Sequence, residues 1–497
     1  MSDIKKKSIY TACSRALTMV ISILSQFILT PIVLSFLGPT LYGVYTLVNK
    51  TNNYLSLVDI RPTAILRLKL AHEQSTGDLL NKRKYIGASV IISLIFTPIF
   101  ILAGCILAYF FPVWFHIETE NVAVSRCAII LLSIFLAING FLGIPEAILR
   151  GNNLEYKGFF IEPIRLLMVA GFTVLFLYCK WGLLSVIFAM FISAIFAYIS
   201  RQMLRVKYLK EYNIAIPTSK HVREFFNKGG WYMISSFLMQ TINNFDVILI
   251  GILLNPESVT LFAITKAIVF RVVESIETLV SSTTSGIGEI VGTNDTDRLH
   301  AVRIHLFKIV IPIALFVTCY FFVFNGTFIG LWTGNEVYGG DVVNTIICIS
   351  AFFLMLTSTE EIFVVSYLDF KKKALCLLVA AIAAIIISVS LSTTLGLIGN
   401  AVGILVGRFT LFIMYNYMNN KRIHYVLTFD FLFIIKCIVV IAITCIFYFV
   451  FKSLSDNSII SFFIGSFIFV LFIGLYTFNV MFEKTIRHQI IKTILRK

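Results

Sequence analysis

The chain has 497 residues, of which 58% are hydrophobic and 13% charged, and its formal net charge is +15. Soluble globular proteins carry roughly 25% charged residues, so this composition excludes a soluble protein and indicates a membrane protein with many spans. In a soluble chain the positive charge would suggest nucleic-acid binding, but its placement along this sequence indicates membrane topology, and we expect no nucleic acid partner.

Fourteen segments are mainly apolar over about 20 residues, the length that a spanning helix needs. They are 9–37, 41–70, 85–112, 122–149, 158–179, 181–200, 229–254, 258–288, 306–324, 342–368, 373–395, 397–418, 429–451 and 458–482. The second and the eighth contain internal charges. We therefore predict an all-α polytopic membrane protein with about 14 transmembrane helices.

Lys and Arg in the connecting segments predict the orientation of these helices, because positive residues concentrate on the cytoplasmic side. With the N-terminus inside, thirty of the 41 Lys and Arg residues fall in cytoplasmic segments, and only Lys180 and Lys452 fall in outer loops. The sequence therefore predicts that both termini are cytoplasmic and that the number of spans is even.

The longest polar stretch, 201–228, separates six spans from eight. We predict a six-helix lobe at 1–204, a basic cytoplasmic linker at 205–228, a second six-helix lobe at 229–420, and two extra helices with a basic tail at 421–497. Because the first half holds an even number of spans, both lobes would enter the membrane from the same side. Any pseudo-symmetry between them would then follow an axis along the membrane normal.

When charges among the first or last four residues of a span are counted with the loops, nine Lys and Arg residues lie inside predicted spans. One ionisable group at the bilayer centre costs about 2.5–3.5 kcal/mol on insertion scales. At a rise of 1.5 Å per residue, Lys50, Lys266 and Arg408 lie about 10–16 Å below the outer surface. Facing water, such cations could bind an anionic passenger. The candidate cavity cations are Arg15, Lys50, Arg61, Lys266, Arg271 and Arg408.

Acidic residues in the spans are candidates for coupling or for counter-charge. Asp246 follows Gln240, Asn243 and Asn244, and two alternatives remain open for it: a site for Na⁺ or H⁺, or a counter-charge to Lys50 or Lys266. Glu274 lies three residues after Arg271, a spacing that allows the two to neutralise each other on one helix face. Spacings of three or four residues also predict local pairs of Glu146 with Arg150 and of Glu162 with Arg165. Asp59 completes this acidic set.

One local motif resembles a known family. "FLGPTLYGVYTL" followed by "LSLVDI" and Arg67 resembles the second-helix signature of bacterial polysaccharide-export flippases, of the O-antigen and capsule type, in the multidrug/oligosaccharidyl-lipid/polysaccharide (MOP) exporter superfamily. The likeness extends over the whole chain in span count, orientation and half-boundary. One departure is Arg61-Pro62, where a small residue is expected after Asp59.

The resemblance implies two six-helix lobes around a central cavity in the bacterial cytoplasmic membrane. It implies that the cargo is an undecaprenyl-pyrophosphate-linked oligosaccharide for O-antigen, lipopolysaccharide, capsule or exopolysaccharide, carried from the cytoplasmic to the outer leaflet. Membrane lipids and the polysaccharide polymerase machinery would be the other partners of a monomeric carrier. Arg and Lys suit this cargo, since Arg offers paired donors to phosphate oxygens and Lys a point charge.

Two other functions compete with this interpretation. A multidrug antiporter of the same superfamily would export organic cations, which need an acidic or aromatic cavity. A polysaccharide polymerase or ligase would need an outer catalytic loop, but the longest outer loop, 325–341, has neither a His nor paired acids. We therefore expect a transporter rather than an enzyme, with no resident cofactor and with H⁺ or Na⁺ coupling left open.

Overall fold

The structure, a computed structural model of the chain, describes residues 2–57, 62–72, 78–152, 154–281, 283–293, 295–367, 369–454, 458–482 and 487. Within these ranges it does not describe the side chains of 2–16, 68, 71–72, 227–236, 242–243, 279, 285–286, 370 and 454. The described backbone is 89% helical and contains no strand.

Sixteen α-helices form this part of the chain. They are α1 Ser2–Leu55, α2 Pro62–His72, α3 Leu79–Trp114, α4 Thr119–Leu142, α5 Ile144–Gly151, α6 Ile161–Tyr178, α7 Leu184–Tyr208, α8 Ser219–Leu253, α9 Pro256–Ser281, α10 Thr284–Gly292, α11 Thr296–Trp332, α12 Asp341–Ser366, α13 Phe370–Leu395, α14 Leu397–Ile423, α15 Phe431–Leu454 and α16 Ile459–Phe469. Two π-helical segments, Val470–Gly474 and Thr477–Met481, follow α16.

Eleven of the described helical stretches are long and apolar enough to cross a membrane. One of them, Leu17–Leu55, overlaps the first two predicted spans, while α9 carries too many charges to qualify. Fourteen of the described helices are long, and the predicted all-α architecture is confirmed. The orientation with both termini inside stays a prediction.

A kink divides α1 at Gly38, where φ is 72° and ψ is 170°. An L side chain is strained at such a positive φ, and glycine is not. The following Pro39 sets φ for a new helical start. The first predicted span therefore ends at the kink. The second, expected to run to residue 70, stops at Leu55, and α2 is a separate helix that begins at Pro62.

The chain divides into two compact units, which we call unit 1 (1–240 with 255–257) and unit 2 (241–254 with 258–497). In unit 1 a hydrophobic core joins α2, α3, α5 and the start of α8 around Leu66, Ile86, Ile148 and Phe225. Leu209 and Tyr212 of the linker pack against this core. The basic linker thus folds onto unit 1.

Unit 2 contains a glycine stripe that brings two helices very close together. A Cβ at Gly399, Gly403 or Gly407 of α14 would lie 2.0–2.7 Å from atoms of α13. Only glycine permits this approach, and small residues four apart are the usual means of close packing between membrane helices. The stripe places Arg408, the next residue along α14, beside α13.

The last helices pack on α11 through aromatic side chains. Phe324 of α11 contacts the rings of Phe447, Phe451 and Phe469, which come from α15 and α16. The other face of α15 is apolar and exposed, for example at Phe431 and Phe449. This combination suits two helices that lie between the body of unit 2 and lipid.

Candidate functional site

Asp246 and Lys266 form an ion pair between α8 and α9. The Lys266 side chain is 13% exposed and the Asp246 side chain 3%. Asp246 also accepts a hydrogen bond from the backbone N–H of Val247 at 2.9 Å, and the Lys266 ammonium lies 4.5 Å from the ring centre of Phe270. Of the two partners that the sequence allowed for Asp246, the structure places Lys266 against it.

Arg408 of α14 lies beside this pair. Its side chain is buried, and it interacts electrostatically with Glu277, Asp246 and Glu361, of which the interaction with Glu277 is the strongest. Glu277 of α9 accepts a hydrogen bond from Ser358 of α12. The carboxylates around Arg408 thus come from α8, α9 and α12, and none of them is a near neighbour in sequence.

A small cavity of about 30 Å³ lies between α8, α13 and α14. Asp246, Arg408, Thr241 and Ser388 provide polar atoms on its wall, and Gly407 leaves space for it. A buried space must offer about 10–15 Å³ to admit one water molecule, so this cavity has room for one or two. Asp246 and Arg408 therefore have room to change their hydrogen-bond partners.

The surroundings of Asp246 decide whether it could hold a coupling cation. Among the residues that it describes, no three His, Cys, Asp or Glu side chains come close enough to hold a metal ion. At Asp246 the ammonium of Lys266 already supplies the positive charge, and Arg408 adds a second cation to the cavity wall. This donor set therefore fits a counter-charge role for Asp246 better than a Na⁺ site.

Arg271 and Glu274 form a looser pair on α9. Their closest atoms lie 3.4 Å apart, and the side chains are 41% and 55% exposed. Surface pairs of this kind contribute about 0–1 kcal/mol, so Arg271 is held weakly. Together with the pairs above, each candidate cation of unit 2 has a carboxylate nearby.

The candidates in unit 1 are only partly described. Lys50 is half-buried near the end of α1. The side chain of Arg15 lies outside the described residues, and so do Asp59 and Arg61. The structure therefore brings together Asp246, Lys266 and Arg408 of the predicted set, and the roles of all nine residues stay predictions.

Sequence reasoning missed the most buried charged group in the described part of the chain. Arg303 and Glu360 are 0% exposed and form a bidentate pair, with N–O distances of 2.5 and 3.1 Å. Asn416 and Asn419 of α14 donate to the Glu360 carboxylate at 3.1 and 2.6 Å, and Arg303 donates to Asn420 at 2.8 Å.

Arg303 lies in the N-terminal part of α11 and binds side chains of α12 and α14. The polar run "YNYMNN" at 415–420 was the available signal, because it sets three Asn side chains near one end of α14. We call Arg303, Glu360, Asn416, Asn419 and Asn420 the buried node.

Unit 1 has its own network of charges, at the ends of α5, α6 and α7. Arg201 binds Glu146 at 2.7 Å and Glu162 at 2.6 Å. Arg150 and Arg165 bind these two carboxylates at 2.9 and 2.5 Å. The expected local pairs are therefore present, and Arg201 joins them into one network between helix ends.

A second network in unit 1 connects α2 and α3 to the start of α8. Lys69 binds Glu224, and the Tyr85 hydroxyl donates to the same carboxylate at 3.0 Å. The hydrogen bond from Lys69, followed by that from Tyr85, outweighs partial desolvation and holds the pKa of Glu224 below its usual value. This carboxylate is therefore ionised at neutral pH.

Comparisons with known proteins identify the family of this chain and solved structures with a similar fold. A family model described as polysaccharide biosynthesis protein matches residues 4–287, more than half of the chain. No curated protein matches the sequence. Solved structures do match in fold, all at low identity.

The lipid II flippase MurJ in an inward closed conformation is 15% identical, with a TM-score of 0.69 over 95% of this chain and 97% of that one. An inward-facing multidrug resistance MATE family transporter of the MOP superfamily is 15% identical, with a TM-score of 0.66 over 82% and 94%. An outward-facing MATE family transporter is 17% identical, with a TM-score of 0.56 over 84% and 96%. The chain is thus a multi-pass membrane protein with the fold of MOP superfamily transporters, and it belongs to the polysaccharide biosynthesis protein family.

Proposed function

We propose that the chain is a flippase that moves undecaprenyl-pyrophosphate-linked oligosaccharide repeat units from the cytoplasmic to the outer leaflet by alternating access. Membership of the polysaccharide biosynthesis protein family and a fold similar to that of a lipid II flippase support this proposal. The single observation that carries it is the Asp246–Lys266 pair beside Arg408, because it keeps cations in the interior of unit 2 next to a small cavity.

The pyrophosphate of the cargo would compete with the carboxylates for these cations. Lys266 holds Asp246 as a point charge and not through a two-pronged arrangement, so a phosphate oxygen can take the place of the carboxylate. Arg408 could then bind phosphate through its paired donors. In this scheme the Asp246 carboxylate is bound to the Lys266 ammonium when no cargo is present.

Two energy sources would drive the transport. With the cell interior negative, moving two negative charges outward releases about 4–5 kcal/mol per 100 mV. A gradient of H⁺ or Na⁺ would be the second source.

The setting of this function follows from the cargo. We place the chain in the bacterial cytoplasmic membrane with both termini inside, as a monomer that delivers its cargo to the polysaccharide polymerase machinery. O-antigen, lipopolysaccharide, capsule and exopolysaccharide units all share the pyrophosphate that the cations would bind. The oligosaccharide would be selected by neutral side chains.

Charge reversal tests the proposal. Lys266→Glu should abolish surface polysaccharide while protein remains in the membrane, and Lys436→Glu is the control because Lys436 is a half-buried lysine of α15 that the proposal does not use. A direct assay follows lipid-linked oligosaccharide reaching the outer leaflet of vesicles that contain the purified protein. Normal delivery by the Lys266 variant, or equal loss in both variants, would contradict the proposed role.

A further inference from the structure

The loop between α7 and α8 is held firmly on unit 1. The Ala215 N–H donates to the carbonyl of Arg83 at 3.3 Å, and Arg83 Nε donates to the carbonyl of Glu211 at 2.6 Å. The Tyr212 hydroxyl donates to Asn152 at 2.8 Å, and Arg205 donates to the Tyr212 carbonyl at 2.6 Å. The loop therefore has a defined path over the start of α3.

This path turns two isoleucines outward. A Cβ at Gly87 of α3 would lie 2.0 Å from the carbonyl oxygen of Ala215, so the loop backbone presses directly on the helix there. The neighbours of Ala215 point away from α3: Ile214 is 66% exposed and Ile216 is 89% exposed. Such exposure of two large aliphatic side chains on a fixed loop calls for an apolar environment.

A groove of about 570 Å³ opens next to these isoleucines. Its apolar side includes Ile91 of α3 and Phe226 of α8, and Arg223 and Thr218 lie on its polar side. Ile91 belongs to the exposed apolar face of α3, which continues with Leu94 along a helix able to span the membrane. The groove thus lies where this face meets the polar linker.

The surroundings of the groove are positively charged. Burial, and then the charge of Lys84, lower the pKa of His221, and Lys220 and Lys69 act in the same direction. Glu224 opposes them but is bound to Lys69. Together with Arg223 on the groove wall, these groups leave an excess of positive charge at its polar side.

We propose that this groove binds one anionic phospholipid of the cytoplasmic leaflet. The phosphate would lie against Arg223 and Lys220, an acyl chain would follow Ile91 and Phe226, and the two isoleucines would enter the interfacial layer of the membrane. A phospholipid fits better than a protein partner, because the apolar side runs directly into the exposed face of a spanning helix. This inference does not depend on the transported cargo.

The test uses the full-length protein purified in detergent and titrated with a short-chain phosphatidylglycerol. Each Lys or Arg near an anionic membrane changes affinity about five-fold, so Lys220→Gln with Arg223→Gln should weaken the stabilisation by phosphatidylglycerol about 25-fold. The control is Lys371→Gln with Lys421→Gln, which removes the same charge from exposed positions of unit 2 and should leave the titration unchanged.

Three results would overturn the proposal: equal stabilisation by phosphatidylcholine, the same titration in wild type and in the groove variant, or equal weakening in the control.

A second measurement tests whether the loop between α7 and α8 enters the membrane. Ile216→Trp in nanodiscs should add tryptophan emission that lipids brominated near the headgroup quench. Added emission that these lipids leave unquenched would place the loop in water and contradict its insertion, whereas quenching together with the lost phosphatidylglycerol response supports the site.

Discussion

Unit 2 contains two buried ion pairs that are built differently. In the buried node, Glu360 receives two bonds from Arg303 and further bonds from Asn416 and Asn419. In the other pair, Lys266 meets one oxygen of Asp246 beside a cavity of about 30 Å³. Both pairs are largely buried, and the second lies beside a cavity that leaves room for a change of partner.

The difference shows that a buried ion pair can either stabilise the fold or exchange one partner for another anion. A bidentate Arg–carboxylate pair with additional amide donors loses many bonds at once if either partner leaves. A single contact between an ammonium and a carboxylate can be replaced by another anion of similar charge. We therefore expect the buried node to stabilise unit 2, and we propose the Asp246–Lys266 pair for function.

The largest effect is expected from breaking the buried node. Removing one partner of a buried pair costs about 3–5 kcal/mol, because the remaining charge stays buried alone. Arg303→Met should therefore reduce the amount of folded protein in membranes and lower its melting temperature in detergent. Glu361→Gln is the matched control for the acidic side, since Glu361 is the neighbour of Glu360 and its pair with Lys373 is partly exposed.

If Arg303→Met melts like wild type, the node has no structural role and the comparison fails. If Glu361→Gln is as damaging as the Arg303 variant, then burial does not separate the two kinds of pair. Fluorescence-detected gel filtration at increasing temperature measures both variants in the same detergent.

The next largest effect is expected when the two residues of the Asp246–Lys266 pair exchange positions. Asp246→Lys with Lys266→Asp keeps an ion pair between α8 and α9, so the protein should fold. Transport should fall about 10- to 100-fold, the loss expected when a charge-assisted contact worth about 1.5–3 kcal/mol is misplaced. The measurement is surface polysaccharide per unit of protein. Full activity of the exchanged variant would show that the pair is only structural.

A smaller effect should separate Lys50 from Lys436. Both are half-buried lysines in predicted spans, but only Lys50 is a candidate for contact with the cargo. Lys50→Ala should reduce export about five-fold, the equivalent of about 1 kcal/mol, and Lys436→Ala should leave it unchanged. Equal activities would mean that depth in the membrane does not identify functional cations in unit 1.

The smallest effect is expected for the half-buried pair of Lys69 and Glu224. Because the folded state lowers the pKa of Glu224, the pair stabilises the protein above the usual glutamate pKa of 4.5, and this contribution is lost as the pH falls through the folded pKa. Glu224→Gln should cost about 0.2–1 kcal/mol at neutral pH and nothing in acid. A melting temperature difference that grows on acidification would contradict this sign.

Several features of the chain were predictable from local sequence. Apolar length predicted the long helices, because a spanning segment must satisfy its backbone hydrogen bonds internally and so must be helical. Local spacing predicted the pairs of Glu146 with Arg150 and of Glu162 with Arg165, since three or four residues make one turn. Gly38 before Pro39 marked the end of the first span.

The partners of the buried charges could not be predicted from local sequence. Asp246 and Lys266 are 20 residues apart on different helices, and Arg303 and Glu360 are 57 apart. Hydropathy along the chain does not identify Arg303 as buried, because its charge is neutralised by a carboxylate on another helix. The roles of adjacent Glu360 and Glu361 also differ only through what each one faces.

The sequence by itself determined that the chain is a helical membrane protein and which charges would be costly to bury, since both follow from local composition. Tertiary structure decided which of these charges are paired, how completely, and beside what space. The physical reason is that a charge in an apolar interior is governed by groups within a few ångströms, and helix packing sets those neighbours.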